Sequence, residues 1–250
     1  SDHMKPAGKG DISEVKDSYL GVRFDAGEGL FIEYTEEELA RCVAVYGEAV
    51  SFAAAMYEKF LAGGKYNADF EISIDETSVP TTPAEHFFVA SELIRKGVTF
   101  ATIAPRFTGE FQKGIDYIGN VKEFHECFKV HCAIAKEFGY RISVHSGSDK
   151  FSIYPSVAEL TGGKFHVKTA GTNWLEAVRV IAEKEPELYR KMHRCALENL
   201  EKAKALYVVH CDVSKIKPLD EVADGDLGDY LNHDDSRQLL HITYGFMLEQ

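Results

Sequence analysis

Basic residues are scarce in this chain of 250 residues. Lysine and arginine number 28 against 40 aspartates and glutamates, which gives a formal net charge of −12. Nucleic-acid binding depends on clustered lysine and arginine side chains that neutralise phosphates, so the composition excludes a nucleic-acid partner. An anionic small-molecule ligand stays open, because one Arg or Lys in a dry pocket outweighs a distant surface field that salt screens over about 8–10 Å.

Cysteine is also sparse, and the motifs of several common protein classes are missing. The five cysteines are odd in number and form no C-x-x-C pair, so reduced thiols in a cytoplasmic protein are expected rather than disulfides or a zinc finger. Neither the G-x-x-x-x-G-K-[ST] nor the G-x-G-x-x-G nucleotide loop occurs. No apolar run approaches the roughly 20 residues that a membrane span needs, so no membrane partner is expected.

The composition is otherwise that of a globular domain. Hydrophobic residues make up 45% of the chain, which is ordinary for a protein with a sizeable core. Residues 1–4 (SDHM) are interpreted as a cloning remnant and the polar residues 5–20 as a flexible lead-in. Residues 21–250 are predicted to form a single catalytic domain.

Short β-rich runs alternate with amphipathic helices along this domain. The expected strands are 70–75, 99–104, 141–145, 165–169 and 206–210, after two short apolar pieces at 21–24 and 30–34. Helices are predicted from the Thr35 cap to Leu61, over 83–96, 121–138 and 174–205 (with a split at Pro186), and from about Asp234. Strand starts 25–40 residues apart favour βα units and a parallel sheet.

Each of the five later strands ends in polar residues, at the edge where parallel α/β folds build their sites. Alternation places Arg141, Ser143 and His145 on one face of their strand, and it places His166 with Lys168 on one face of theirs. Open parallel sheets tend to be apolar on both faces. The pattern therefore predicts a TIM-barrel-like (β/α) fold with polar side chains directed inward.

Two histidines and a carboxylate at different strand ends are typical of a site for Zn, Mn, Fe, Co or Ni. We predict the ligands to be Glu76, His145 and His210. Asp75 competes with Glu76, since strict alternation points only one of them inward. The alternative for all of these residues is a set of buried, hydrogen-bonded polar side chains.

Other polar residues near the strand ends are candidates for proton transfer or for binding an anion. His166 is a further ligand or an acid/base, and Lys168 is a base or a carboxylate partner. Arg106 would hold a carboxylate in a bidentate fork, or else bridge to a structural Asp or Glu. The turn at 145–150 offers backbone N–H groups to an anionic oxygen. His86 and His193 fall in predicted helices and are expected at the surface.

Six sequence runs resemble the tagaturonate epimerase family: 71–77 (EISIDET), 80–83 (PTTP), 104–110 (APRFTGE), 143–150 (SVHSGSDK), 165–171 (FHVKTAG) and 230–234 (YLNHD). The resemblance runs from about residue 20 to the end. It implies a TIM-type barrel, a divalent metal cofactor and interconversion of tagaturonate with fructuronate, or of tagatose with fructose in related members.

The resemblance also implies roles for individual residues. It places a metal carboxylate in the 75–77 run and a ligand at His145, with His210 on the following strand, and Arg106, Asp149 and Lys168 in the pocket. The predicted metal ligands are Glu76, His145 and His210. The predicted catalytic residues are Asp75, Asp149, His166 and Lys168. The predicted substrate-binding residues are Arg106, Ser146 and Asn173.

Members of this family are about twice as long, and the match is to their C-terminal half. Five strands cannot close an eight-stranded barrel. An incomplete barrel that lacks N-terminal strands is therefore the alternative fold, and such a chain is expected to form a homo-oligomer or to need the missing half.

The two sugar acids differ at a carbon β to the ketone, so deprotonation beside the carbonyl cannot interconvert them. Metal-assisted retro-aldol cleavage, rotation of the aldehyde and re-addition is the expected mechanism, with transient oxidation as the alternative. A metal-dependent aldolase or isomerase and a catalytically silent sugar-acid-binding fragment are the rival functions.

Overall fold

The computed structural model describes residues 12–64, 66–205 and 209–249. Its strands are β1 (Arg23–Asp25), β2 (Phe31–Glu33), β3 (Glu71–Ser73), β4 (Thr102–Ala104), β5 (Arg141–Val144) and β6 (His166–Val167). Its α-helices are α1 (Lys16–Tyr19), α2 (Glu36–Phe60), α3 (Pro83–Arg95), α4 (Val121–Phe138), α5 (Tyr154–Thr161), α6 (Trp174–Lys184), α7 (Pro186–Lys204), α8 (Asp234–Ile242) and α9 (Tyr244–Leu248).

The chain divides into two compact units. Unit 1 takes in the chain up to Thr108 with Asn120–Val144 and Ser156–His166, and unit 2 takes in Gly109–Gly119, His145–Pro155 and the chain from Val167 onward. The prediction of one domain over 21–250 treated these two units as one.

The start of unit 1 differs from the predicted lead-in. Residues 1–11, with the expected cloning remnant, lie outside the described part of the chain, but α1 is ordered and Tyr19 is buried. The Tyr19 hydroxyl donates to Glu92 Oε1 at 2.9 Å. Flexibility over 16–19 was therefore a wrong expectation, because an aromatic side chain with a buried partner anchors this segment.

The two early strands exist, and they pair only with each other. β1 and β2 form an antiparallel hairpin, with Phe24 opposite Ile32. Among the described strands they therefore add nothing to the parallel sheet, and they do not supply the missing barrel strands.

The parallel sheet is confirmed as four strands in the order β3-β4-β5-β6. Glu71 lies opposite Thr102 and Ile103 opposite Ile142, and apolar residues such as Ile103, Ile142 and Val144 are buried. Gly139 ends α4 in the left-handed conformation at φ 79°, a geometry that glycine adopts without steric strain. The described strands do not close a barrel, so barrel closure stays a prediction. The expected strand 206–210 lies outside the described residues at 206–208, and 209–210 are not a strand.

Helix α2 starts at a capping box, in which the Thr35 hydroxyl accepts from Glu38 N–H and the Glu38 side chain accepts from Thr35 N–H. Among the described residues, Glu36–Gly64 is one helix that is long and apolar enough, by length and composition only, to cross a membrane, contrary to the expectation that no run is long enough. Its buried stripe includes Leu39, Tyr46 and Val50, and α3 packs on it. One such helix is weak evidence for a membrane span.

Unit 2 is mainly helical, and its core lies among α6, α7, α8 and the 3₁₀ segment Asp224–Asn232. The predicted split of the long helix at Pro186 is confirmed, because Pro186 occupies the first position of α7, where its missing N–H matters least. Helix α5 was not predicted. Its eight residues are too short for a clear helical period.

Four buried histidines of the two units have a lowered pKa, and the burial of two of them corrects the expectation that His86 and His193 lie at the surface. His86 is fully buried and its Nδ1 lies 2.9 Å from Nδ1 of His131, while the Tyr140 hydroxyl lies 2.6 Å from its Nε2. Burial lowers the pKa of His86 well below its usual value, and His131 adds to this effect. Burial lowers the pKa of His131, His193 and His241 to about 4.

We expect the fold to lose stability as the pH falls from about 6.5 to about 4. The four rings are neutral in the folded chain, whereas the unfolded chain binds protons below its ordinary histidine pKa, so stability is complete above 6.5 and is lost toward 4. Each extra proton taken up on unfolding changes the free energy of unfolding by about 1.4 kcal/mol per pH unit. Urea unfolding at pH 7, 6 and 5 measures the free energy of unfolding at each pH.

The matched control for this prediction is His210→Gln, because the side chain of His210 is 66% exposed. That variant should keep the full pH dependence, whereas His131→Gln should reduce its slope. Equal unfolding free energies at pH 7 and pH 5 would show that the buried rings do not resist protonation.

Candidate functional site

The predicted site residues divide between the two units. Asp75, Glu76, Arg106 and His166 belong to unit 1, and the other six belong to unit 2: His145, Ser146, Asp149, Lys168, Asn173 and His210. Each set is described by itself.

A cluster of polar side chains lines one face of the parallel sheet in unit 1. His166 Nδ1 lies 2.7 Å from Glu71 Oε2 and 2.8 Å from Ser143 Oγ. Thr102 Oγ1 donates to the same Glu71 oxygen at 2.8 Å. We call these four residues, Glu71, Thr102, Ser143 and His166, the polar layer. They confirm that polar side chains of successive strands share one face.

The polar layer also shows that the sheet is curved. Glu71 is on β3 and His166 is on β6, and two strands lie between them. Three strand spacings of about 4.8 Å would separate these residues by roughly 14 Å in a flat sheet. Two side chains cannot meet across that gap unless the sheet bends around them. The concave, polar face is the one that a barrel-type fold would turn inward.

This arrangement suits His166 for proton transfer. An Nδ1–H that donates to the Glu71 carboxylate sets the tautomer and the ring orientation, and it leaves Nε2 as an acceptor. The His166 side chain is 45% exposed, so a ligand could reach it. Glu71 was not among the predicted residues, although alternation would have placed it on the face opposite the buried Ile72.

Asp75 and Glu76 follow β3 and differ in exposure. Asp75 is half-buried and accepts from Ser73 Oγ at 2.6 Å, and Glu76 is exposed. Asp75 continues the polar face that Glu71 and Ser73 begin, which strict alternation requires. Which of the two acts as a ligand stays open.

Arg106 follows β4 and is held by its backbone. Its N–H donates to Thr81 Oγ1 at 2.9 Å, and its carbonyl accepts from Thr81 N–H at 2.9 Å. Within the described residues its guanidinium makes no ion pair, so the structural bridge to an Asp or Glu is not seen there. The side chain is available for an anionic group.

In unit 2, the turn at 145–150 is strained and well anchored. Ser146 and Asp149 have φ of 48° and 62°, a region that residues other than glycine seldom occupy and that often marks functional sites. Lys150 is fully buried, and its Nζ donates to the carbonyls of Gln112, Ile115 and Ser148. Burial lowers the pKa of Lys150 to about 8, and Asp149 offsets part of this effect.

The anchors of this turn decide what it can bind. Gly147 N–H donates to the Lys168 carbonyl at 3.0 Å, and Ser148 Oγ accepts from Ala170 N–H at 2.8 Å. The Gly147 N–H is therefore not available to an anionic oxygen, which removes one donor from the predicted anion-binding turn.

Asp149 is fixed by Arg237 of α8, a residue that sequence reasoning missed. Arg237 Nη2 donates to Asp149 Oδ1 at 3.2 Å, while its Nε donates to Gly114 O at 2.8 Å and its Nη1 to Leu231 O at 3.0 Å. Asp149 Oδ2 is buried and has no hydrogen-bond partner within the described residues. A buried carboxylate oxygen without a partner costs free energy, so it is a good acceptor for a ligand hydroxyl.

The remaining predicted residues of unit 2 include one buried and several exposed side chains. His145 is 7% exposed, whereas Lys168 and Asn173 are exposed. The His210 ring lies 3.6 Å from Glu110, and the backbone N–H of His210 donates to Gln112 Oε1 at 3.0 Å. No group of three or more His, Cys, Asp or Glu side chains within the described residues is placed to hold a metal ion. The assignment of Glu76, His145 and His210 as metal ligands stays a prediction.

Comparison with known proteins decides the family. A sequence model described as tagaturonate epimerase matches residues 6–250. The chain belongs to the tagaturonate epimerase family. This finding confirms the resemblance carried by the six sequence runs.

Similar members of the tagaturonate epimerase family come from two bacteria. The tagaturonate/fructuronate epimerase of Thermotoga maritima is 46% identical over 232 residues, which cover 92% of this chain and 48% of that protein. Crystal structures of the fructuronate-tagaturonate epimerase UxaE from Cohnella laeviribosi, native and with one glycerol, each align with a TM-score of 0.92 at 52% identity. They cover 95% of this chain and 48% of those chains, so this chain spans about half the length of the relatives it matches.

Proposed function

We propose that this chain carries part of an epimerase that interconverts tagaturonate and fructuronate. The observation that supports the proposal is the family match over nearly the whole chain, together with the names of the similar proteins. The proposal concerns the whole enzyme, since the relatives are about twice as long.

The polar layer suggests how the chain takes part in the reaction. In the retro-aldol route, His166 removes the proton of the hydroxyl on the carbon β to the ketone while the bond between the α and β carbons breaks. This step leaves an enolate and an aldehyde. After the aldehyde turns its other face, the enolate attacks it, the same bond re-forms and His166 returns the proton to the new alkoxide. Glu71 holds the imidazole in place and stabilises its charged form between the two steps.

A divalent metal is a separate proposal. Zn, Mn, Ni, Co or Fe, held by Glu76, His145 and His210, would supply Lewis-acid chemistry at the ketone. Its support is the donor chemistry of these side chains. Metal analysis of the purified protein, with and without chelator treatment before an activity assay, tests this proposal.

The experiment that tests the epimerase proposal is a product analysis. The chain, alone and combined with the remaining half of a family member, is incubated with tagaturonate and followed by NMR. Appearance of fructuronate supports the proposal, and accumulation of cleaved fragments would indicate an aldolase instead. Ligand binding without turnover in both samples would favour a silent sugar-acid-binding fragment.

Arg106 is proposed to bind the carboxylate of the substrate. We expect Arg106→Leu to lower kcat/KM for tagaturonate about 10-fold to 100-fold more than kcat/KM for neutral tagatose. A charge-assisted pair contributes roughly 1.5–3 kcal/mol, and only the acid can lose it. Steady-state kinetics with both sugars measures the ratio.

The control for Arg106 is Arg106→Lys, which keeps the charge but not the fork. Its kcat/KM for tagaturonate should lie between the values of the wild type and the leucine variant. Its kcat/KM for tagatose should equal that of the wild type. Equal losses on both sugars with Arg106→Leu would assign Arg106 a structural role.

A further inference from the structure

A cleft in unit 2 is lined by none of the residues assigned to catalysis or metal binding above. Its volume is about 280 Å³, and it opens beside the start of α8. The residues that line it are mostly polar: Lys215, Lys217, Val222, Asp226, Asp229, Tyr230, His233 and Ser236. Two cations and two carboxylates thus face a space large enough for a small sugar-like molecule.

Ser236 marks this cleft as more than a surface groove. The residue is 1% exposed, and its Oγ is buried without a hydrogen-bond partner among the described residues. By contrast, the buried hydroxyl of Thr243 donates to Leu239 O at 2.6 Å. An unpaired buried hydroxyl is destabilising, and a ligand that enters the cleft would supply the partner that Ser236 lacks among the described residues.

The start of α8 adds further donors. The residue at its N-cap, His233, makes no side-chain cap, and N–H groups at the start of a helix are suited to an anion. Asp234 and Asp235 lie in the first turn, and one oxygen of Asp235 accepts from Asp212 N–H at 2.7 Å. Lys215 and Lys217 add positive charge to the same cleft.

The cleft therefore offers donors at one end and acceptors at another. Helix N–H groups, Ser236 and the lysines suit a carboxylate, and Asp226 and Asp229 suit hydroxyl groups. We propose that this cleft binds a small polyhydroxy carboxylate, with its carboxylate at the start of α8 and its hydroxyls on the two aspartates. None of the lining residues belongs to the assigned catalytic set, and the proposal does not depend on the proposed reaction.

Calorimetric titration of the protein with gluconate tests the proposal, with glucose and inorganic phosphate as comparison ligands. Gluconate should bind, and glucose and phosphate should bind at least tenfold more weakly. Glucose lacks the carboxylate, and phosphate lacks the sugar-like hydroxyl groups. Ser236→Ala should weaken gluconate about tenfold without lowering the thermal midpoint, since the hydroxyl has no partner in the fold. Lys217→Met should weaken gluconate and make its binding less sensitive to salt.

Two matched variants separate this site from the alternatives. Thr243→Val removes a hydroxyl that is satisfied within the fold, so it should lower the thermal midpoint and leave gluconate affinity unchanged. Arg106→Leu should also leave gluconate affinity unchanged, because a carboxylate bound by Arg106 would lose affinity in that variant instead. Absence of gluconate binding at millimolar concentration, unchanged affinity in Ser236→Ala, or equal binding of phosphate would each overturn the proposal. A lower midpoint of Ser236→Ala without gluconate binding would show that the hydroxyl holds only a structural water.

Discussion

His166→Asn is expected to lower epimerase kcat about 10²-fold to 10⁴-fold, the usual contribution of a general acid–base. The asparagine amide can occupy the position of Nδ1 and keep the contact with Glu71, 2.7 Å from the imidazole in the native chain. It has no group that can exchange a proton in place of Nε2. Turnover of tagaturonate by the whole enzyme, with the thermal midpoint as a check on folding, measures the effect.

Glu71→Gln is the companion to this variant. It keeps a hydrogen-bond acceptor beside His166 but removes the charge that stabilises the imidazolium, so kcat should fall less than in His166→Asn and the pH profile of kcat should shift. A His166→Asn enzyme with native kcat would remove His166 from the mechanism and leave Asp149 or Lys168 as the proton carrier.

Arg237→Met is expected to destabilise unit 2 by about 3–5 kcal/mol, the range found when one partner of a buried ion pair is removed. Arg237 and Asp149 are only 13% and 19% exposed. The methionine would remove the Arg237 donors of the Asp149 carboxylate and of the Gly114 carbonyl, whereas the Leu231 carbonyl would keep its second donor, Arg179 Nη2. Urea unfolding of the variant and the parent protein gives the difference in free energy.

The control for Arg237→Met is Lys136→Met. Lys136 lies 2.8 Å from Glu28, closer than Arg237 is to Asp149, but its side chain is 76% exposed. Exposed pairs contribute little because water screens them, so this variant should unfold at nearly the native urea concentration.

Asp149→Asn supplies a further test of the pair. Combined with Arg237→Met, it should restore part of the lost stability, because the uncompensated buried charge is gone. A loss in the double variant equal to the sum of the two single losses would show that Arg237 acts through the carbonyls alone.

Local chemistry made much of the fold predictable. The alternation of apolar runs with amphipathic helices indicated a parallel α/β sheet, and β3, β4, β5 and β6 lie within the predicted strands. Thr35 and Pro186 marked helix starts, because capping and the missing proline N–H act within one turn. The family was also evident from short sequence runs.

Burial was harder to predict for polar side chains. His86 and His193 are in helices whose other residues are both apolar and charged, so the pattern does not say which face a histidine takes. Helix α3 packs on both α2 and α4, and this second contact buries His86. Contacts on two sides of a helix are a property of the tertiary structure and leave no separate period in the sequence.

The sequence by itself determined the strands, most of the helices, the family and the presence of polar residues at the strand ends. Tertiary structure decided which of those residues meet. Alternation assigns a side chain to a face but not to a partner on another strand, and only curvature of the sheet brings Glu71 to His166. Arg237 is 88 positions from Asp149, and its role follows from where α8 packs within unit 2. Long-range pairs of this kind depend on the packing of whole elements, whereas the signals that sequence carries most clearly act over a few residues.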